Sequence, residues 1–333
     1  ILRIDHKTQF IFFFSSLRQP LSMDQKALFF AKNSKLKQFR FPQTALDFIW
    51  NTTHLLPIEN LLGSVDIFHS SDWTQPPAKK AKLVTTIHDL SFLKSPDSVD
   101  PKVLAVQKRR LDWVKKEVDQ IIAVSNSTKD EIVSLLDINP DKITVIHEAL
   151  PDDVAQFKPN NRLLEKIKKT LKIKNNYLFA YGSSAPRKNI ARLISAFTSF
   201  NQDNDFQLVI TGNYKGSDLP TNVILTGFLP RAEMLNLFYQ AAVFIYPSVY
   251  EGFGLPILES FYLNVPVVTS NCSSMVEIAQ DGAVLIDPKS EQSISLGIKK
   301  ALNNRASLIK RGGKRLKACS WQKAARKLSL IHI

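Results

Sequence analysis

The stretch YPSVYEGFGLPILESFYLNVPVVTSNCSSMVEIAQDGAVLIDP, Tyr246–Pro288, sets strand, glycine turn, helix, strand, helix and strand end to end with almost no spare linker. The apolar run Val243–Tyr246 that leads into it has the length of a buried strand, and Pro247, which has no N–H to give a ladder, ends it. Gly252 and Gly254 then bracket Phe253 in a turn where backbone N–H groups can approach a ligand closely. Pro256 suits the first helical position because its missing N–H would have no partner there, and the free N–H groups of a helix N-terminus attract anions. With seven residues between them, Glu251 precedes the glycines and Glu259 lies one turn inside the helix, on the face of Pro256 and Leu263. Taken alone such a pair is a surface acid and a helix-solvating acid, and it gains weight only from motifs elsewhere in the chain.

Strands and helices alternate outward from this stretch in both directions. In the same half, strands are expected at Tyr177–Tyr181, Phe206–Thr211, Val223–Thr226, Val243–Tyr246, Val265–Thr269 and Ala283–Ile286. The other half opens with a strand near Gln9–Phe14 and a mixed segment to Pro42, followed by a helix from Gln43 to about His54 and strands at Val65–His69 and Lys82–His88. A helix over Pro101–Val118 follows, with Leu104, Leu111, Val114 and Val118 as its buried stripe. Then come a strand at Gln120–Val124, a helix for which Thr128 and Glu131 stand at capping-box spacing, and a strand at Lys142–Ile146. This alternation predicts an α/β protein of two doubly wound parallel sheets. Prolines, paired asparagines and a lysine-rich helix between Glu148 and Asn176 mark the boundary, giving domains 1–158 and 159–318 and a closing helix at 319–333. In doubly wound sheets ligands bind outside the carboxyl ends of the strands.

A chain of 333 residues suits two domains, and 44% hydrophobic against 22% charged residues excludes a disordered chain. No apolar run approaches the roughly twenty residues that span a bilayer. Two cysteines, Cys272 and Cys319, do not build a disulfide framework or a cysteine metal site, which fits a reducing, cytoplasmic setting. The balance of 44 Lys+Arg over 30 Asp+Glu attracts phosphorylated substrates, anionic lipid or nucleic acid alike. No recognition helix, zinc spacing or aromatic RNA-binding signature supports nucleic acid.

Three further segments sit at predicted strand ends. GSSAPRKNI, Gly182–Ile190, turns on small residues and puts Arg187 and Lys188 just before a helix starting near Asn189, an arrangement that suits a diphosphate; on charge pattern alone it is a solvated loop. TTIHDLSFL, Thr85–Leu93, places His88 and Asp89 at the end of an apolar strand, where a loop histidine beside a capping aspartate is the plainer reading. In LTGFLP, Leu225–Pro230, Gly227 lets a ligand approach the backbone before Phe228.

Together EGFGLPILES, VPVVTS, APRKN and the His88–Asp89 pair resemble the retaining nucleotide-sugar glycosyltransferases of the GT-B superfamily, glycosyltransferase family 4, the family of bacterial mannosyltransferases and sucrose synthase. The resemblance covers roughly residues 60–325, with Ala185 in place of an acid in the family's E-P-R-K-N element and a threonine in the S-x-x-S pattern at Ser125–Thr128. It implies two Rossmann-like domains facing across a cleft. By the resemblance, Arg187 and Lys188 are expected to bind the donor diphosphate, Glu251 to contact the donor sugar, Glu259 to bind the ribose hydroxyls, and His88 to line the active site. Gly182, Gly227, Phe228, Phe253, Gly254 and Leu255 complete the donor site by the same resemblance. SWQKAARKL, Ser320–Leu328, resembles the last helix that crosses back toward the first domain, with Trp321 at the crossing; Leu328–Ile333 do not continue its pattern.

The expected activity is metal-independent transfer of a hexose, mannose from GDP-mannose first and a UDP-sugar second, to a hydroxyl of a glycan or lipid-linked acceptor, with retention. No metal and no cofactor is called for. Alternatives are a nucleotide-sugar sensor of the same fold, a phosphorylase-like or epimerase-like relative, and a basic nucleic-acid-binding protein. Lys102, Lys108, Arg109, Arg110, Lys115 and Lys116 on the Pro101–Val118 helix suggest docking on an anionic membrane surface. The first strand resembles the family's second, so the chain reads as short at its start by about 25 to 40 residues, the length of a strand, turn and helix.

Overall fold

A computed structural model describes residues 1–2, 4–174, 176–203 and 205–331. They form two compact units, one of Ile1–His147 with the residues from Gln322 onward, the other of Glu148–Trp321.

In the first unit β1 (Phe10–Ser15) and β2 (Ser34–Phe39) pair in parallel as a two-stranded sheet, while β3 (Ile67–Ser70), β4 (Lys82–Ile87), β5 (Gln120–Ala123) and β6 (Ile143–Val145) form a parallel sheet in that order. The mixed segment before Pro42 therefore holds a strand that its lysine-rich sequence, SKLKQF, conceals. Phe13 and Phe39 stack with ring centroids 5.2 Å apart, and both pack on a cluster of Leu46, Trp50, Ile58 and Leu62. The helix expected over 43–54 is α-helical only across Gln43–Leu46 and then widens to π-helical turns over Asp47–Thr52.

Helix α1 (Pro101–Glu117) starts where Asp100 accepts the Lys102 N–H and Pro101 takes the first turn. Leu111 and Val114 are buried as the pattern predicts, but Leu104 is half-buried, and the remaining core positions are the polar Gln107 and Arg110. The six-residue basic face is corrected in two places, since Arg110 is buried and Arg109 donates to Asp47 at 2.7 Å. Helix α2 (Asn126–Leu136) is capped by Ser125, whose hydroxyl accepts the Thr128 N–H at 3.0 Å. The cap is thus three residues earlier than Thr128, because Thr128 is already inside the first turn and buried.

In the second unit α3 (Asn161–Leu171) precedes a sheet of six parallel strands: β7 (Tyr177–Gly182), β8 (Gln207–Gly212), β9 (Val223–Gly227), β10 (Val243–Tyr246), β11 (Val267–Ser270) and β12 (Val284–Ile286). Their order is β12-β11-β10-β7-β8-β9, so the winding reverses between β7 and β10, the position at which doubly wound sheets bind ligands. Residues 148–158, assigned by sequence to the first half, group here, with Val154 buried and the Tyr262 hydroxyl donating to the Ala155 carbonyl at 2.6 Å. Helices α4 (Ile190–Phe200), α5 (Arg231–Gln240), α6 (Leu255–Tyr262), α7 (Glu291–Asn303) and α8 (Arg305–Leu316) cover the sheet. Ile190, Leu193, Phe197, Ile294 and Ile298 pack onto Leu178, Ala180, Leu208 and Ile210.

The last helix, α9 (Trp321–Ile331), takes in Leu328–Ile331, which the sequence pattern had left out; 332 and 333 lie outside the described residues. Ala324, Leu328 and Ile331 recur at near-helical spacing and pack on Val84, Ile122 and Ile146 of the first unit's sheet. Trp321 is half exposed and donates its indole N–H to the Leu150 carbonyl at 2.8 Å.

Candidate active site

The site in the second unit is assembled where β7 and β10 end side by side. β7 meets β8 at Gly182 opposite Gly212, and a Cβ on Gly212, which has φ +119°, would stand 2.1 Å from the Gly182 carbonyl oxygen. Only glycine closes the strands this tightly before the chain leaves them. A 3-10 turn over Pro186–Lys188 then carries Arg187 and Lys188, and Asn189 ends it in the left-handed region, with φ 58°. The Asn189 amide donates to the carbonyls of Pro247 at 3.1 Å and Pro288 at 2.6 Å, and Val249 N–H donates to the Arg187 carbonyl at 2.8 Å. The basic turn is therefore stapled to the loop after β10.

That loop delivers Glu251. Arg187 Nη1 donates to its Oε2 at 2.8 Å and Lys188 Nζ to its Oε1 at 2.5 Å, so one carboxylate bridges both cations. Lys188 Nζ also lies 3.3 Å from the Tyr246 hydroxyl and over that ring. Glu251 is only 9% exposed. Burial raises its pKa, but Lys188 and Arg187 outweigh burial and hold the carboxyl below the usual range. The Glu251 backbone is fixed too, its carbonyl accepting from Ser273 Oγ at 2.6 Å and Ser274 Oγ at 2.8 Å. Ser273 sits at φ 55° and ψ −153°, a conformation costly for a residue with a Cβ. The loop continues through buried Phe253 to Gly254, whose φ of 105° lets it serve as the N-cap of α6 without a side chain. Helix α6 begins at Leu255, with Pro256 in its first turn, so its first amides face the end of this loop.

Glu259, 5% exposed, lies on α6. Tyr181 Oη donates to its Oε2 at 2.7 Å and Arg231 Nη2 to its Oε1 at 2.6 Å. Arg231 Nε in turn donates to Asp153 Oδ2 at 2.6 Å. Burial pushes the Tyr181 phenol well upward and Glu259 adds to the rise, so the phenol stays a donor. The Arg231 guanidinium loses some stability to burial, but Asp153 and Glu259 more than restore it. Gly227 lies at the end of β9 with φ 67° and its carbonyl accepts from Thr211 Oγ1 at 3.2 Å, while Phe228 is 81% exposed.

In the first unit His88 is exposed at the end of β4. Asp89 accepts from the Ser91 N–H at 2.8 Å and the Ser91 hydroxyl at 2.6 Å, but it stands one residue ahead of Leu90, which is the N-cap of the short Ser91–Lys94 helix. Beside them a pair appears that sequence reasoning did not find: Arg110, 1% exposed, stands 3.2 Å from Asp72 and donates to Thr85 Oγ1 at 2.8 Å. Arg187, Lys188, Glu251 and Gly254 are thus brought to one place, with Glu259 further along α6. Tyr181, Arg231, Asp153, Ser273 and Ser274 were missed. The only sequence sign for Tyr181 was its place at the end of an apolar strand; Arg231, 28 residues from Glu259, gave none.

Two family profiles fit the chain in succession: Glycosyltransferase Family 4 over residues 24–153 and Glycosyl transferases group 1 over residues 162–320. The O-antigen chain mannosyltransferase B of Escherichia coli is 28% identical over 273 residues, covering 77% of this chain and 71% of that one. The serotype-specific mannosyltransferase WbdA of Escherichia coli is 25% identical over 258 residues, which are 72% of this chain, and the match spans only 32% of that longer protein. Among solved structures, Anabaena Alr3699/HepE in complex with UDP and glucose superposes with a TM-score of 0.64 at 17% identity, covering 97% of this chain and 99% of that one. With both profiles matched in order on two α/β units of parallel strands, the chain belongs to the nucleotide-sugar-dependent glycosyltransferases of the GT-B fold.

Proposed function

We propose that the chain transfers a hexose, mannose from GDP-mannose in the first instance and from a UDP-sugar in the second, to a hydroxyl of a growing glycan or lipid-linked saccharide, with retention and without a metal. The observation that carries this reading is the bridge from Arg187 and Lys188 to Glu251 at the switch point of the sheet. Two cations and the first amides of α6 are preorganised to take the charge that develops on a leaving diphosphate, which is typically the largest catalytic contribution. The departing phosphate oxygen accepts the acceptor's proton on the same face of the sugar. Glu251 turns its carboxylate to the donor sugar, Glu259 holds the ribose hydroxyls, and His88 lines the acceptor side. The named mannosyltransferases support the sugar, and HepE's complex supports a nucleoside diphosphate.

The deciding experiment is a calorimetric comparison of GDP and UDP, followed by turnover of the matching sugar nucleotides. Binding of neither diphosphate overturns the reading; binding without any donor turnover reduces it to a sensor. The anomeric configuration of the product, read by NMR, tests retention. A cytoplasmic site of action at an anionic membrane is part of the same proposal, now resting on Lys102, Lys108, Lys115 and Lys116, which are exposed on α1. Liposome flotation that is indifferent to lipid charge removes it. No helix among the described residues is long and apolar enough to cross a membrane.

A further inference from the structure

Glu259 is the one carboxylate among the buried residues of α6, and the chain spends three more polar side chains on it. Tyr181 reaches its Oε2 from the end of β7, Arg231 reaches its Oε1 from the start of α5, and Asp153 holds Arg231 from the segment before α3. The Tyr181 ring has no freedom to move away. It meets Phe238 edge-on at 5.6 Å and 84°, Phe179 at 5.6 Å and 77°, and Phe244 at 5.4 Å and 69°. Stability alone does not explain the arrangement, because well-packed apolar residues of similar volume commonly serve a core as well as a buried ion pair does. What the two donors do achieve is geometric: each carboxylate oxygen carries one bond from the protein and keeps a second lone pair. A carboxylate locked in this way offers two acceptors at fixed separation, the complement of two neighbouring hydroxyls.

We infer that Tyr181 and Arg231, with Asp153 behind Arg231, are positioning residues that set the Glu259 carboxylate to accept from the 2′ and 3′ hydroxyls of the donor's ribose. This rests on the reading of Glu259 given under Proposed function. Tyr181→Phe deletes one donor without changing the ring, and Arg231→Met deletes the other while keeping much of the length. Asp153→Asn, at a half-exposed side chain, loosens Arg231 without opening the core.

The test is calorimetry on the whole chain with GDP and UDP and with their 2′-deoxy counterparts. The wild type is expected to prefer the ribonucleotide by about tenfold or more, the scale of one hydrogen bond to a charged group. In Tyr181→Phe and Arg231→Met that preference is expected to fall to about two- or threefold, through weaker ribonucleotide binding at nearly constant 2′-deoxynucleotide affinity; Asp153→Asn should fall between. A merely structural clamp would lower the melting temperature and leave the ratio alone, and that result overturns the inference. So does a ratio unchanged in Glu259→Gln, since there would then be no ribose contact to position. If the wild type binds neither diphosphate, the donor reading itself fails and this inference falls with it.

Discussion

Glu251→Gln is expected to tighten binding of the nucleoside diphosphate while it slows transfer. In the free enzyme Glu251 occupies the cations that the diphosphate needs, with Arg187 at 2.8 Å and Lys188 at 2.5 Å. A hydrogen bond to a charged partner contributes about 1.5–3 kcal/mol, against about 0.5–1.5 for the neutral bond that a glutamine oxygen retains. The difference is about 1–1.5 kcal/mol per cation, or about 2–3 for both. Arg187 and Lys188 side chains are 29% and 19% exposed, and water takes up part of what the carboxylate gives, so the net gain is roughly half, about 1–1.5 kcal/mol. That corresponds to about five- to twelvefold tighter GDP or UDP by calorimetry. Weaker binding in a folded Glu251→Gln would refute the competition and would mean that the carboxylate mainly orders the two cations. The same variant carries a pH signature. Because the folded carboxyl is held below its ordinary value of 4.5, its contribution to stability is full above that pH and is lost as the pH falls through the folded pKa. The stability advantage of the wild type over Glu251→Gln should therefore shrink on acidification below 4.5.

Arg187→Ala and Lys188→Ala should each lower turnover at saturating donor by about 10²-fold, as for loss of one transition-state donor; a rise in KM alone makes them ground-state anchors. Gly212→Ala should destabilise the second unit by about 3 kcal/mol or more, because the added methyl meets backbone and not a movable side chain; an unchanged urea midpoint would contradict the close approach of β7 and β8. Glu59 accepts the backbone N–H groups of Lys79, Lys80 and Ala81, which overcome the effect of its burial and bring its pKa from 4.5 down to about 2. Glu59→Gln should thus cost stability at neutral pH, with wild type and variant converging as the pH falls from 4.5 toward 2; a pH-independent difference would show that the carboxylate's charge is not what the loop uses.

The second unit was legible because its strands are apolar on both faces and announce themselves as short runs, as in Val243–Tyr246, where all four residues are buried. β2 was not, since Ser34–Phe39 spends half its positions on Lys35, Lys37 and Gln38 and is a strand by virtue of pairing with β1. Arg110 read as one more surface cation on α1 because helix periodicity does not reveal that Asp72, 38 positions earlier, stands opposite it. At the site, the Glu251 and Glu259 spacing and the Arg187–Lys188 pair are local patterns, and the structure sets Arg187 and Lys188 after β7, Glu251 after β10 and Glu259 on α6. Tyr181 is 78 residues from Glu259, and such a pairing leaves no trace in local sequence. That Glu251 would rest on Arg187 and Lys188 was equally hidden, because spacing places residues but not their partners.

The path of α9 also bears on the order in which the protein is made. Val84, Ile122 and Ile146 of the first unit are covered by Ala324, Leu328 and Ile331, so that unit's sheet keeps an apolar face open until the ribosome has passed residue 331. The intervening residues 148–321 take roughly 9–35 s to synthesise at about 5–20 residues per second. The second unit is contiguous in sequence and is able to close during that interval, whereas the half made first finishes last. Its exposed face is then the place where a chaperone or a neighbouring nascent chain has time to bind.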